Sequence, residues 1–237
     1  MARMGRLAVI AGSGLRSSRF GSGAARVEHG GITMFDAGTH LVLERHGSNG
    51  FVRAHEVDHV SHVRALMLAD CDRALGISSV GSLRLDWPVG TVVCPDDFYA
   101  PDVNPTLFDD ASSHSVPGFD DAWRHRVIDT WRAHTDSQIL DGGIYTQTRG
   151  PRFETPAEVR ALAQVGDLVG MTIAAECILA REAGIAYAAI CVVDNPANGI
   201  EPTPLSFEQY SEGVAANRSR LCSDLDAVLP ALAEAPR

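Results

Sequence analysis

Short apolar runs that break on small or polar residues recur along this chain, with helical stretches between them. Residues 7–11 (LAVIA) run into Gly12-Ser13-Gly14, and residues 41–43 into Glu44-Arg45-His46-Gly47. Residues 74–79 break at Val80-Gly81-Ser82, and residues 186–193 (AYAAICVV) stop at Asp194-Asn195. Residues 92–94, 143–145 and 168–171 read as further strands, while 57–69 and 174–183 carry helical periodicity. Pro156 opens another helix where its missing N–H is harmless, with Glu158 in the first turn, and Ser206 caps a last helix reaching about residue 229. Strands alternating with helices predict an α/β fold: one domain over residues 1–237, a mixed central β-sheet flanked by helices, and function in the loops at strand ends.

Those strand ends share a chemistry. Ser13, Arg45-His46, Ser78-Ser79 and Asp194-Asn195 each follow a strand, and ordinary turn preferences explain any one of them. Together, converging, they would make a pocket of hydroxyls, a guanidinium and an imidazole suited to an oxyanion. Composition narrows the chemistry further. All 20 basic residues are arginine, so Schiff-base, pyridoxal-phosphate and P-loop lysines are excluded. A net charge of −10 argues against a nucleic-acid or anionic membrane surface. No apolar run approaches the ~20 residues of a membrane span. The glycine-broken opening MARMGRLAVIAGSGL reads as a first strand rather than a signal peptide. The five cysteines lack metal-like spacing and read as reduced thiols of a cytoplasmic protein.

Three motifs compete for the function. His55-Glu56-Val57-Asp58-His59 spells HExxH, continued on the same helical face by His62, and taken literally it is the metal site of a zinc hydrolase. It falls at the start of a helix rather than within one, and a polar helix face accounts for it equally well. Gly12-Ser13-Gly14 follows a strand, but Ser17 stands where a dinucleotide fingerprint needs its third glycine, leaving a tight phosphate-contacting turn. The stretch GPRFETPAE (residues 150–158) sets Phe153 beside Glu154 between two apolar runs. Alone it reads as a surface loop leading into a helix.

The order of these segments is more specific than any one of them. GSGL, RHG at 45–47, EVDHVSHVRAL, SSVGSL with PVGTVV, GPRFETPAE, GMTIAAECILAREAGIAYA and VVDNPANG follow one another. In that order the chain resembles the purine nucleoside and methylthioadenosine phosphorylases of the trimeric branch, from residue 7 to the last helix. The resemblance implies a homotrimeric pentosyltransferase that cleaves the glycosidic bond of a purine nucleoside with inorganic phosphate as co-substrate, without metal or other cofactor. Carried over, it implies that Ser13, Arg45, His46 and Ser79, assisted by Ser78, bind phosphate, with Arg45 offering a bidentate contact. Met171 and Thr172 would hold the ribose and Phe153 would stack on the purine. Glu154 would accept from N1–H, and Asn195 would donate to N7 or O6, with Asn195 and His46 as the catalytic pair. Glu154 with Asn195 favours a 6-oxopurine (inosine or guanosine type), whereas relatives specific for adenine usually place aspartate at position 195; Asp194 lies one register step away. Phe207 stands where relatives taking an unmodified 5′-hydroxyl often carry histidine, so methylthioinosine or methylthioadenosine is the alternative substrate.

Overall fold

The computed structural model describes residues 5–15 and 23–234; Ser17, which breaks the dinucleotide pattern, lies outside them. The described residues form eleven strands, joined in one sheet, and five α-helices. The strands are β1 (Arg6–Ala11), β2 (Ala25–His29), β3 (Ile32–Asp36), β4 (His40–Glu44), β5 (Cys71–Ser82), β6 (Val92–Cys94), β7 (Asp97–Tyr99), β8 (Leu140–Asp141), β9 (Ile144–Gln147), β10 (Leu168–Gly170) and β11 (Ala186–Pro196). The helices are α1 (His59–Leu68), α2 (Asp121–His134), α3 (Pro156–Leu162), α4 (Ile173–Glu182) and α5 (Phe207–Glu234). The main path runs β2-β3-β4-β1-β5-β10-β9-β7, and β11 leaves it on β5 to carry β6 and then β8. The sheet is mixed: β4, β1, β5 and β11 are parallel, and β10 meets β5 antiparallel.

Strand periodicity assigns the side chains to two cores. In β1, Ala8 and Ile10 face one core while Leu7, Val9 and Ala11 face the other. In β11, Tyr187, Ala189, Cys191 and Val193 face the first and Ala186, Ala188, Ile190 and Val192 the second. This is the period of two of a strand covered on both faces. Helices α1 and α4 close the first core; α2 and α5 close the second.

The structure extends or trims most predicted elements by a residue or two. Strand β5 runs past residues 74–79 at both ends because β1, β11 and β10 all pair with it. Helix α1 starts at His59 rather than residue 57 because Asp58 caps it, its side chain accepting from the Ser61 amide at 2.9 Å. The final helix begins after a capping box: Ser206 Oγ accepts from Gln209 N, and Gln209 Oε1 accepts from Ser206 N. The short strands β7 and β8 go unread in the sequence, and so do two larger features. One is the β2–β3 hairpin, turning on Gly30 and Gly31 at φ of 57° and 80°. The other is α2, which buries Trp123, Val127, Ile128 and Trp131 at helical spacing beneath a polar outer face. All five cysteines are free thiols, four of them buried. No helix among the described residues is long and apolar enough to cross a membrane.

Candidate active site

The strand ends converge. A cavity of about 310 Å³ opens where β1, β4, β5, β10 and β11 finish, walled on its far side by residues 151–154 and the start of α5. Ser13, Arg45, His46, Ser78, Ser79, Phe153, Glu154, Met171, Thr172, Asn195 and Phe207, eleven positions predicted from seven separate segments, all line it.

At the floor lies Arg45, only 1% exposed. Its guanidinium crosses the ends of the central strands, donating through Nη1 to the Ile77 carbonyl at 2.8 Å and through Nη2 to that of Ile10 at 3.4 Å. Gly12 makes this possible: a Cβ there would strike both Arg45 Nη1 and the Ile77 carbonyl. The glycine of the predicted phosphate-contacting turn therefore serves the arginine directly. The bidentate fork already has a partner within the protein. The Nε–Nη2 edge of the guanidinium is held by Glu176 of α4, through Nε to Oε1 and through Nη2 to Oε2 at 2.9 Å.

Glu176 is a residue of the cavity floor that sequence reasoning passed over. It lies in the quoted segment GMTIAAECILA, and the available signal was a carboxylate on a helix whose neighbours Ile173, Ala174, Ala175, Cys177 and Leu179 are all apolar and buried. Burial alone would raise its pKa. The adjacent Arg45 charge and hydrogen bonds bring it net below the usual carboxylate range. Burial opposes the charge of Arg45 in the same way, and Glu176 reverses this, raising the arginine further. Tyr187 donates to Glu176 Oε2 at 2.6 Å, and His59 Nδ1 lies 3.7 Å from Oε1. Burial, against the pull of Glu176, drives the His59 pKa down to about 4, so the ring is neutral at pH 7.

His46 sits beside Arg45 with its Nδ1 2.9 Å from the Val52 carbonyl and its ring 5.7 Å from that of Phe51. Thr172 precedes α4. Its amide and that of Ile173 donate to the Tyr145 hydroxyl, while those of Ala174 and Ala175 donate to Gln147 Oε1. The first amides of this helix are thus held by side chains of β9.

The opposite end is built by GPRFETPAE. Thr155 and Glu158 form a capping box around Pro156 at the start of α3, and Glu158 also holds Arg152 through two bonds of 2.7 Å. The second glutamate of the motif is therefore structural, and it fixes the loop so that Phe153 and Glu154 face the cavity. Glu154 is 7% exposed. Thr148 Oγ1 donates to its Oε1 at 2.6 Å, and Asn198 Nδ2 donates to its backbone carbonyl at 2.9 Å. Gly150, at φ +64°, passes so near Met171 that a Cβ would lie 2.5 Å from its sulfur. Phe153, Tyr210 and Phe207 follow one another with ring centroids 5.7 and 5.9 Å apart. Tyr210 was not foreseen; it lies one helical turn beyond Phe207 on α5.

Asp194 and Asn195 separate. The register of β11 on β5 shifts between Val193 and Asn195. Asp194 faces α5, where Asn217 Nδ2 donates to it at 2.7 Å. Asn195 faces the cavity, with Nδ2 donating to the Pro196 carbonyl at 2.7 Å; its amide carries a second N–H. Of the two neighbours, it is Asn195 that the structure turns into the cavity.

HExxH does not form one site. His55 and Glu56 belong to a 3-10 turn, Ala54–Glu56, and His59 opens α1. Glu56 is paired with Arg53 at the surface. Among the described residues no group of three or more His, Cys, Asp or Glu could hold a metal ion. The zinc-hydrolase reading fails because Asp58 starts the helix after the first histidine.

Residues 6–230 match the model of the phosphorylase superfamily. The chain belongs to that superfamily. A probable 6-oxopurine nucleoside phosphorylase of Archaeoglobus fulgidus is 31% identical over 195 residues, covering 82% of this chain and 79% of the relative. A probable S-methyl-5′-thioinosine phosphorylase of Methanosarcina acetivorans is 29% identical and covers 97% and 92%. Methylthioadenosine phosphorylase from Schistosoma mansoni, solved with adenine, superposes with a TM-score of 0.80 at 22% identity, covering 96% of this chain and 91% of that one; it shows the shared fold. As a phosphorylase, the chain uses its sheet to bring loops remote in sequence around one small-molecule cavity.

Proposed function

We propose that this phosphorylase cleaves 6-oxopurine nucleosides with inorganic phosphate, releasing the free purine and a (deoxy)ribose 1-phosphate. The observation that carries the reading is that Glu154 and Asn195 share the cavity with Arg45, His46, Ser13, Ser78 and Ser79, so a base-edge reader and an anion site face a common space. In this reading a phosphate oxygen bonds to C1′ as the C1′–N9 bond breaks. The bond's electron pair passes to the purine, which takes up a proton. The sugar becomes oxocarbenium-like, and rate is gained by groups that meet charge as it develops. Asn195 donates to N7 or O6. Glu154, with Thr148 on one oxygen, accepts from N1–H with the other. Adenine offers no hydrogen at N1, which is the basis of the 6-oxo preference.

Phe153 stacks on the base, Met171 and Thr172 hold the ribose, and His46 assists at the phosphate end. Charge is handled throughout by side chains and phosphate, so the reaction as proposed needs no metal or other cofactor. The cytoplasmic homotrimer implied by the resemblance belongs to this proposal; light scattering should return three times the 25.3 kDa chain.

A second reading, S-methyl-5′-thioinosine, is favoured by the end of the cavity where Leu205, Phe207 and Tyr210 gather, an apolar corner suited to a thioether. Incubating inosine, guanosine, methylthioinosine and methylthioadenosine with and without phosphate separates the readings. Base release from the 6-oxo nucleosides only with phosphate supports the first. Preference for methylthioinosine supports the second, and release without phosphate overturns both.

A further inference from the structure

A buried ion pair is weak evidence for stability, because desolvating both charges offsets most of their attraction. Arg45 and Glu176 are each 1% exposed, and the molecule is shaped around them from three directions. Gly12 leaves the space Arg45 occupies, and Gly76 does the same for Tyr187, whose hydroxyl a Cβ there would strike. Tyr187 crosses that gap to donate to Glu176 at 2.6 Å. A carboxylate in the middle of an apolar helix face, reached by an arginine that follows β4 and a tyrosine from β11, is a feature that general packing does not require.

We propose that Glu176 is a positioning residue for the phosphate substrate: its carboxylate fixes the Arg45 guanidinium at the cavity floor and offsets its charge, so an arriving dianion shares Arg45 with an anion already present. This rests on the phosphorolysis reading above and adds a role that reading does not contain. A guanidinium clamped on its Nε–Nη2 edge keeps one orientation across the strand ends, which preorganises the anion site. The resident carboxylate also weakens the hold on phosphate by like-charge repulsion across the shared cation. The two effects are separable by substitution, and they change phosphate binding in opposite directions.

Glu176→Gln keeps the length and an acceptor oxygen for Arg45 but removes the negative charge. The expected result is a KM for phosphate lowered by about tenfold, with the nucleoside KM within twofold of wild type. Glu176→Asp keeps the charge but withdraws it by one methylene, releasing the clamp; the phosphate KM is expected to rise by about tenfold. A merely structural role would lower the melting temperature of both variants and move both KM values alike; two shifts of the same sign overturn the proposal. Tyr187→Phe covers the case in which neither variant folds. It removes one donor from the carboxylate, which then holds Arg45 harder, and the phosphate KM should rise two- to threefold; no change, or a fall, overturns the proposal. The melting-temperature increment produced by inorganic phosphate alone is measured in parallel. If the wild type releases no base with phosphate, the phosphorolysis reading fails. The proposal about Glu176 then stands or falls on whether that increment grows in Glu176→Gln and shrinks in Glu176→Asp.

Discussion

The two ends of the cavity are made of different material. The end proposed to take the anion is the floor of the sheet: Arg45 is buried, tied to two strand carbonyls and to Glu176, and shaped by a glycine that no other residue could replace. The far end is made of a capped loop and the first turns of α5, with Phe207 67% exposed and Tyr210 leaning on Phe153. A side chain on the floor is over-determined by several partners and tolerates little change. A side chain on the rim is held by one or two contacts and can be exchanged. Phosphorolysis is the reaction common to all the proposed substrates, so in the proposed reading the anion is met at the rigid end, while the 5′ substituent, which varies, is met at the adaptable one.

The strongest test of this contrast removes the floor. Arg45→Ala leaves Glu176 buried and unpaired, a change of about 3–5 kcal/mol in stability, and should abolish saturation by phosphate. A stable variant with normal phosphate kinetics would show that the two ends do not differ as described. Next comes Asn195→Ala, which removes one donor to the developing purine charge and should lower turnover by about 10²–10³ with little effect on melting temperature; single-turnover base release measures it. Asn195→Asp should move preference towards 6-aminopurines, and an unchanged ratio of adenosine to inosine turnover would argue against the assigned edge contact.

The pH dependence probes the floor from beneath. His59 has a folded pKa of about 4 against 6.5 for an unperturbed histidine, so the unfolded chain binds the proton more readily. The associated stability is present above pH 6.5 and is lost as pH falls from 6.5 towards 4, by roughly 3 kcal/mol in total. His40 and His62, also depressed chiefly by burial, act in the same direction. Melting temperature followed from pH 8 to pH 4 should drop across that window, and less steeply in His59→Gln. The smallest effect is expected at the rim: Phe207→His should change the preference between inosine and methylthioinosine by roughly tenfold or less, a few contacts' worth of binding, without altering phosphate kinetics. A loss of phosphate use in that variant would break the comparison.

Much of the site is legible along the chain because its parts sit where a strand's apolar run gives way to small and polar residues, even though β5 continues past Ser79 to Ser82 and β11 past Asn195 to Pro196. Ser13, Arg45-His46, Ser78-Ser79 and Asn195 are found this way, and Phe153-Glu154 through the family resemblance of their loop. Helix α2 escapes because its outer face is strongly polar, and the β2–β3 hairpin because its strands are short and half-exposed. Glu176 escapes for a different reason. A lone glutamate among alanines and isoleucines has no local meaning until the arginine from 131 positions away reaches it.

The amino-acid order alone determined the punctuation: where strands stop, which residues cap helices, and that any anion must be met by arginine, histidine, hydroxyls and amides in a chain without lysine. These are local matters of backbone geometry and side-chain chemistry, decided within a few residues. The tertiary structure decided which way Asp194 and Asn195 face, through a register shift in β11, and it brought Glu176 onto the Nε–Nη2 edge of Arg45. Both depend on what lies across the sheet, and only packing brings together groups whose charges must be satisfied away from water.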